Sequence, residues 1–305
     1  MAIARSPSKL TLPQTNPGVA TVVDYLIGKF PQIGAQVWRQ RAIEGKLHWH
    51  DGTLITPASA YRPKQRVYYY REVEQEPVVP FSETVLFADA DILLAYKPAF
   101  LPVTPGGRYV NECLQNRLRL KTGVENLQAI HRIDRATSGL VLFSLNPETC
   151  HLYHQLFASR QVHKTYQAIV KIDGDCDKPI EGQTWEITNR LAPGDPRFLM
   201  QVCDGEANSH SRVRCIERLG ERALFELTPI TGKTHQLRVH MQALSWPILH
   251  DRYYPQLQPK SADNYAQPLQ LLAQQLSFMD PVTSEPRVFH CGYRLNLASE
   301  QFEMV

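Results

Sequence analysis

HRIDRATSGLVLFS, residues 131–144, is the stretch on which the reading of this chain turns. A polar loop, His131 to Thr137, runs directly into a short apolar run, GLVLFS, that reads as a buried strand. One acid, Asp134, stands between Arg132 and Arg135. Neighbouring cations favour the carboxylate, so Asp134 is expected to be ionised. Such a group can act as nucleophile or base, or stabilise a developing positive charge. It can equally be one half of an ordinary surface salt bridge.

Two further segments carry polar residues at spacings that suit a site. In KTYQA (164–168) strand alternation puts Lys164 and Tyr166 on one face, although a core tyrosine with a satisfied hydroxyl fits as well. In PITGKTHQLRVHM (229–241) the run Thr-Gly-Lys-Thr precedes a helical pattern and is expected to present free backbone N–H groups to an anion. The first glycine of a nucleotide-binding loop is missing. Arg238, one turn into that helix, is within reach of a carboxylate; a capped helix with a polar face is the plainer alternative.

Working outward, residues 1–18 are rich in Pro, Ser, Thr and Asn and read as a flexible arm. Val19, Val22, Val23, Leu26, Ile27 and Phe30 recur at helical spacing and Pro31 stops the helix. Residues 36–44 read as a second, basic helix ended by Gly45. KLHWH and TLI flank Asp51-Gly52, a hairpin signal, and residues 66–73 supply a third strand. Residues 19–73 therefore form a compact small unit, and 74–83 a linker. From residue 84 onward short strands dominate: 84–97 in two pieces, 139–144, 164–170, a pair around Gly220-Glu221, and two last strands in PLQLLAQQLSF and RVFHCGY. Helices are expected at 109–120, 148–160 and 234–244. Strands outnumber helices without alternating strictly with them, which predicts an α+β core with a mixed, mainly antiparallel sheet.

Composition narrows the function classes. The 305 residues are 43% apolar, enough for a sizeable core. No run approaches a membrane span, and MAIARSPSKLTLPQTNPG lacks the apolar stretch of a secretory signal, so a cytoplasmic protein is expected. The six cysteines include no Cys-x-x-Cys pair, which argues against a disulfide scaffold or structural zinc. His151-x-x-His154 lacks the acid of a zinc protease motif, and His48 and His50 share a strand face without acidic neighbours; no metal is expected. Gly-x-Ser-x-Gly is absent, which disfavours a serine hydrolase. Residues 1–75 hold ten Lys and Arg against five Asp and Glu, and residues 108–164 eight against four. Basic segments on a nearly neutral chain suit a polyanionic partner, or an ordinary solvated surface.

Taken in order, HRIDRATSGL, KTYQA and TGKTHQLRVH resemble the three linked motifs of the RluA-type RNA pseudouridine synthases. DADILLAYKPAFLPVTPGG upstream and WPILHDRYY downstream are similar to two further family stretches, so the likeness spans about residues 84–290. It implies a pseudouridine-synthase-like catalytic domain over 84–305 that isomerises uridine to pseudouridine in structured ribosomal or transfer RNA without a cofactor. It implies Asp134 as the catalytic aspartate, Tyr166 as the tyrosine that stacks on the flipped uracil near carbon 5, and Arg238 as the aspartate's partner. Arg132 would fill the space the flipped base leaves. His131, Arg135, Lys164, Thr231, Lys233 and His235 are expected to bind substrate. Residues 19–73 are similar to the small RNA-binding domain named after ribosomal small-subunit protein four, with Arg39, Arg41 and Lys46 as its expected RNA contacts. A monomer with no obligate protein partner is expected. The alternatives are a non-catalytic RNA-binding or folding factor, which would gain nothing from an acid facing a polyanion, and a nucleoside hydrolase, which wants two carboxylates.

The chain departs from the family pattern at several places. Lys233 replaces an arginine and loses bidentate geometry. Ser245-Trp246 replaces Gly-His, His250 replaces the glycine before Asp251, Phe100 replaces the glycine after Lys97-Pro98, and Leu272 stands where histidine is frequent. These substitutions bear on which RNA is bound more than on the chemistry.

Overall fold

The computed structural model describes residues 1–172 and 179–305 and divides into two compact units. The first comprises Met1–Pro77 with Gly106–Asn111, the second Val78–Pro105 with Glu112–Val305.

The first unit carries β1 (Ala2–Ile3), β2 (Ser8–Thr11), α1 (Val22–Lys29), α2 (Ala35–Ile43), β3 (Leu47–Trp49), β4 (Arg66–Tyr69) and β5 (Glu72–Val73). Thr21 caps α1 by accepting the Asp24 N–H at 3.1 Å, and the helix stops before Pro31 as the sequence predicts. Val22, Val23 and Leu26 of α1 pack with Trp38 of α2 on Leu47, Trp49 and Val67. At the Asp51-Gly52 turn Asp51 accepts the Thr53 N–H at 2.9 Å, but only Leu47–Trp49 is a regular strand. The expected flexible arm is corrected by the structure. Ser8–Thr11 is an edge strand of the sheet β2-β4-β3, and Leu12 is buried beside it. Leu10 and Leu12 alternate with Lys9 and Thr11, a strand pattern too short to stand out among prolines and serines. The expected single strand 66–73 breaks at Tyr70–Arg71, and its second piece pairs with β1 instead.

The second unit carries β6 (Thr84–Ala88), β7 (Ile92–Lys97), α3 (Leu114–Thr122), β8 (Gln128–Ala129), β9 (Ser138–Ser144), α4 (Cys150–Ala158) and β10 (His163–Lys171). There follow β11 (Thr184–Pro193), β12 (Met200–Cys203), β13 (Ser209–Leu219), β14 (Arg222–Pro229), α5 (Gln236–Ala243), β15 (Leu271–Met279), β16 (Pro286–His290), β17 (Tyr293–Asn296) and β18 (Gln301–Met304). One sheet runs β12-β11-β13-β14-β10-β15-β9-β7-β6, with β16 on β15 and β8 on β9. Among the described residues β9 and β15 pair in parallel and the other pairings in this sheet are antiparallel. The fold is the α+β class expected. α3 starts later than the predicted 109–120 and ends at Gly123, whose φ of 72° suits a helix stop. The second half of the expected linker is not loose: Val79 is buried, and the Arg117 guanidinium donates to the carbonyls of Val79 and Phe81 at 2.7 and 2.6 Å.

The central strands aim the motif loops at one place. The HRIDRATSG loop enters β9, the KTY segment lies on β10, and the TGKTHQ segment leaves β14 for α5. Gly139 makes the first junction possible. Its φ is 118°, and a Cβ there would lie 2.2 Å from the Ala273 carbonyl oxygen on β15. Among the described residues no helix is long and apolar enough to cross a membrane.

Candidate active site

A cavity of about 470 Å³ opens between these loops, lined among others by Arg132, Asp134, Lys164, Tyr166, Thr231, Lys233, His235 and Arg238. The three linked motifs, up to 104 residues apart, therefore meet around one space.

Its polar core is an ion-pair relay. The Arg238 guanidinium donates one bond to Asp134 Oδ2 at 3.1 Å and two to Asp251, at 2.7 and 2.6 Å. Arg238 and Asp251 are almost wholly withdrawn from solvent, whereas the Asp134 side chain keeps 29% of its exposure. Burial works against the Arg238 charge, yet Asp251 and then Asp134 outweigh it and raise its pKa further. The guanidinium also packs over the rings of Tyr253 and Tyr254, 4.8 and 5.2 Å from their centres. Asp251 in turn accepts the Tyr253 and Tyr254 N–H groups at 2.8 and 3.2 Å. The result is a fixed cation that presents its free edge to a half-exposed carboxylate.

Tyr166 lies on the cavity wall. Burial, followed by the Asp134 charge, raises its pKa, so it enters as the neutral phenol. Lys164, on the same face as expected, is partly withdrawn from water, which lowers its pKa. Its Nζ lies 3.9 Å from where a Gly232 Cβ would stand. Arg132 is exposed at the rim and Lys233 is exposed beside it. His235 sits 3.8 Å from Asp134 through Nε2, while its Nδ1 shares a 2.9 Å hydrogen bond with the Tyr254 hydroxyl. Burial lowers the His235 pKa despite the nearby Asp134.

Several expected placements are corrected. Arg135 turns away from the cavity and makes a two-pronged pair with Asp263, both contacts at 2.9 Å. His131 reaches the wall but its ring is committed elsewhere. It stacks on Phe157 at 4.5 Å, and its Nε2 accepts the Leu142 N–H at 3.1 Å. Burial, then the Lys164 charge, pushes its pKa down to about 3. The Thr-Gly-Lys-Thr run is loop rather than helix start: His235 adopts φ 54° and α5 begins at Gln236. The Lys233 N–H is taken by Gln236 Oε1 at 3.0 Å, so it is not offered to an anion. In the first unit Arg41 is buried against Glu72 at 3.0 Å, and Lys46 pairs with Glu44 and Glu72. Burial opposes the Glu72 charge, but the bonds from Lys46 and Arg41 prevail and lower its pKa. Of the three expected contacts there, Arg39 is the exposed one.

Sequence reasoning left out Asp251 and Gln236. Gln236 accepts the Thr231 hydroxyl at 2.6 Å and donates to the His210 carbonyl at 2.9 Å and to Ser211 Oγ at 2.8 Å, which fixes the loop between β14 and α5. Both lie inside the quoted motifs, so the available signal was their place beside Arg238 and within HDRYY.

A carboxylate braced by a buried arginine, beside a tyrosine on the cavity wall, can stabilise positive charge that develops in a bound substrate. Residues 91–243 match the family described as RNA pseudouridylate synthase. A dual-specificity RNA pseudouridine synthase RluA of Vibrio vulnificus is 32% identical over 216 residues, 67% of this chain and 80% of that protein. An uncharacterized RNA pseudouridine synthase of Synechocystis is 27% identical over 233 residues, 76% of this chain and 79% of that protein. The solved structure of human RNA pseudouridylate synthase domain containing 4 is similar in fold, with TM-score 0.55 and 23% identity, covering 72% of this chain and 94% of that one. The chain belongs to the RNA pseudouridine synthase family. It is of the RluA type, an isomerase that converts uridine to pseudouridine in RNA.

Proposed function

We propose that this enzyme modifies chosen uridines of ribosomal or transfer RNA in the cytoplasm, as a monomer and without a cofactor, with Asp134, Tyr166 and Arg238 as its reacting set. The single observation behind this reading is the braced carboxylate: Arg238, locked by Asp251, aims at Asp134 and leaves it partly open to the cavity. The family's reaction breaks the bond from the sugar to uracil nitrogen 1, turns the base, and re-forms the bond at carbon 5. Atoms and electrons balance without an external reagent. Asp134, paired with Arg238 at 3.1 Å, would attack or stabilise the sugar as the base departs. Tyr166 would stack on the detached uracil, with its hydroxyl near the carbon 5 proton that must leave. Arg132 at the rim would stand in for the flipped nucleotide in the RNA stack. Lys164 and Lys233 supply positive charge for phosphate. Dual specificity in the name of the Vibrio relative supports a substrate range that includes more than one RNA. The first unit is proposed to add RNA affinity.

The test is release of tritium from RNA labelled at uracil carbon 5, run on ribosomal and transfer RNA transcripts. Asp134→Ala should abolish release while RNA binding by filter retention persists. Release at the wild-type rate from that variant would remove Asp134 from the reaction. Mapping pseudouridines in cells with and without the gene would then name the substrate position.

A further inference from the structure

We propose that the outer face of the sheet β2-β4-β3 is a stacking platform for unpaired RNA bases; this rests on the reading that the first unit contributes RNA affinity. Strand alternation sorts the residues. Leu10, Leu47, Trp49, Val67 and Tyr69 pack into the core, so the residues between them face outward. Register then lines them up: Lys9 and His48 stand on either side of Tyr68 in one row across the sheet. Arg66 lies two residues before Tyr68 on β4, Tyr70 follows just past the end of that strand, and His50 just past the end of β3.

A solvent-facing antiparallel sheet ordinarily carries polar side chains. This one carries rings, and they are already ordered. His48 is nearly parallel to Tyr68, with ring centres 5.0 Å apart and planes 8° apart. His50 lies 5.9 Å from Tyr68 at 18° and bonds its hydroxyl through Nδ1 at 3.0 Å. Tyr70 stands 6.2 Å from His48. Rings held in place lose little freedom when a base stacks on them, and every base offers a π face. The charge matches the same occupant. Lys9 and Arg66 are exposed on this face, whereas Glu72 and Glu44 are tied to Arg41 and Lys46, and Asp51 holds the hairpin turn. Aromatic surface interleaved with cations suits a polyanion with splayed bases. The second helix, whose Arg41 is consumed by Glu72 together with Lys46 just beyond the helix end, is the poorer candidate.

The experiment uses the full chain and a fluorescein-labelled twelve-residue oligouridylate, with anisotropy read across a salt series. Tyr68→Leu, which keeps bulk and removes the π face, should weaken binding about tenfold. Lys9→Ala with Arg66→Ala should lower the salt slope by about 1.4, near 0.7 for each phosphate contact on a single strand. Circular dichroism and the urea midpoint verify that each variant is folded; His48→Ala provides a second probe of the stack should Tyr68→Leu unfold. Unchanged affinity in folded Tyr68→Leu and His48→Ala would overturn the platform. A loss confined to Arg39→Ala would overturn it as well and put the RNA on the helix. Tritium release by the wild-type enzyme stands apart from both results, so failure of the platform leaves the catalytic reading intact.

Discussion

Asp251→Asn is the perturbation that separates a braced arginine from a merely buried one. Asp251 Oδ1 accepts Arg238 Nη2 and the N–H groups of Tyr253 and Tyr254, while Oδ2 accepts Arg238 Nε at 2.7 Å. An asparagine can keep its oxygen toward the three donors at Oδ1, but its amide N–H₂ must then face Arg238 Nε, donor against donor. The change also deletes the negative charge that offsets a guanidinium only 4% exposed. Breaking a buried pair from one side costs about 3 to 5 kcal/mol. At about 2 to 4 °C per kcal/mol for a domain of this size, the melting temperature should fall by at least about 6 °C. Arg238 is left with Asp134 as its ionic partner and must shift toward it, which misaligns the carboxylate; a displacement near 1 Å costs about a hundredfold in rate. Tritium release at saturating RNA, measured well below the transition, reads that loss, and scanning calorimetry reads the stability. A variant that melts within about 2 °C of wild type and turns over normally would refute the bracing argument.

Further outcomes follow from other parts of the structure. Asp263→Ala should release Arg135 toward Asp134 and lower kcat about tenfold, the equivalent of 1.4 kcal/mol of lost alignment; Asp263→Glu should recover part of it, and no change in either variant would mean the Arg135 pair is incidental. Burial is the main reason that His131 and His240 have pKa values down at about 3 and about 4, helped by Lys164 and His210 respectively. Both values lie below the usual 6.5, so the unfolded chain binds these protons first, and the stability present above pH 6.5 should drain away as pH falls toward 4 and then 3. Imidazole resonances titrating near 6.5 at either residue would contradict this. Ser245 is exposed at φ 63°, where the family pattern has glycine, so Ser245→Gly should raise stability by about 1 kcal/mol in urea unfolding; a decrease would rule out backbone strain there.

Three of the departures from the family pattern share one backbone feature. Phe100, Ser245 and His250 replace glycines, and all three hold left-handed backbone, with φ of 66°, 63° and 62°. These turns hold a left-handed backbone although none of the three residues is the glycine best suited to it. Phe100 is the clearest case of compensation: its ring packs edge-on to Tyr265 at 5.2 Å and it is buried.

What the sequence determined by itself was local or linear. Periodicity placed α1, α2 and α4 to within a few residues, the apolar run placed β9, and three ordered motifs marked Asp134, Tyr166 and Arg238, because each signal lies in residues a few positions apart. Tertiary structure decided which charges are spent. Arg135 looked as available as Arg132 until Asp263, 128 residues away, bound it. Arg41 and Lys46 looked like RNA contacts until Glu72, from a strand beyond the hairpin, neutralised them. Asp251 gained its role only when the loop before β15 met α5, and Ser8–Thr11 became a strand only beside β4. A side chain's type is written at its own position, but its pairing depends on what distant segment packs against it, and burial then sets whether a charge stays available.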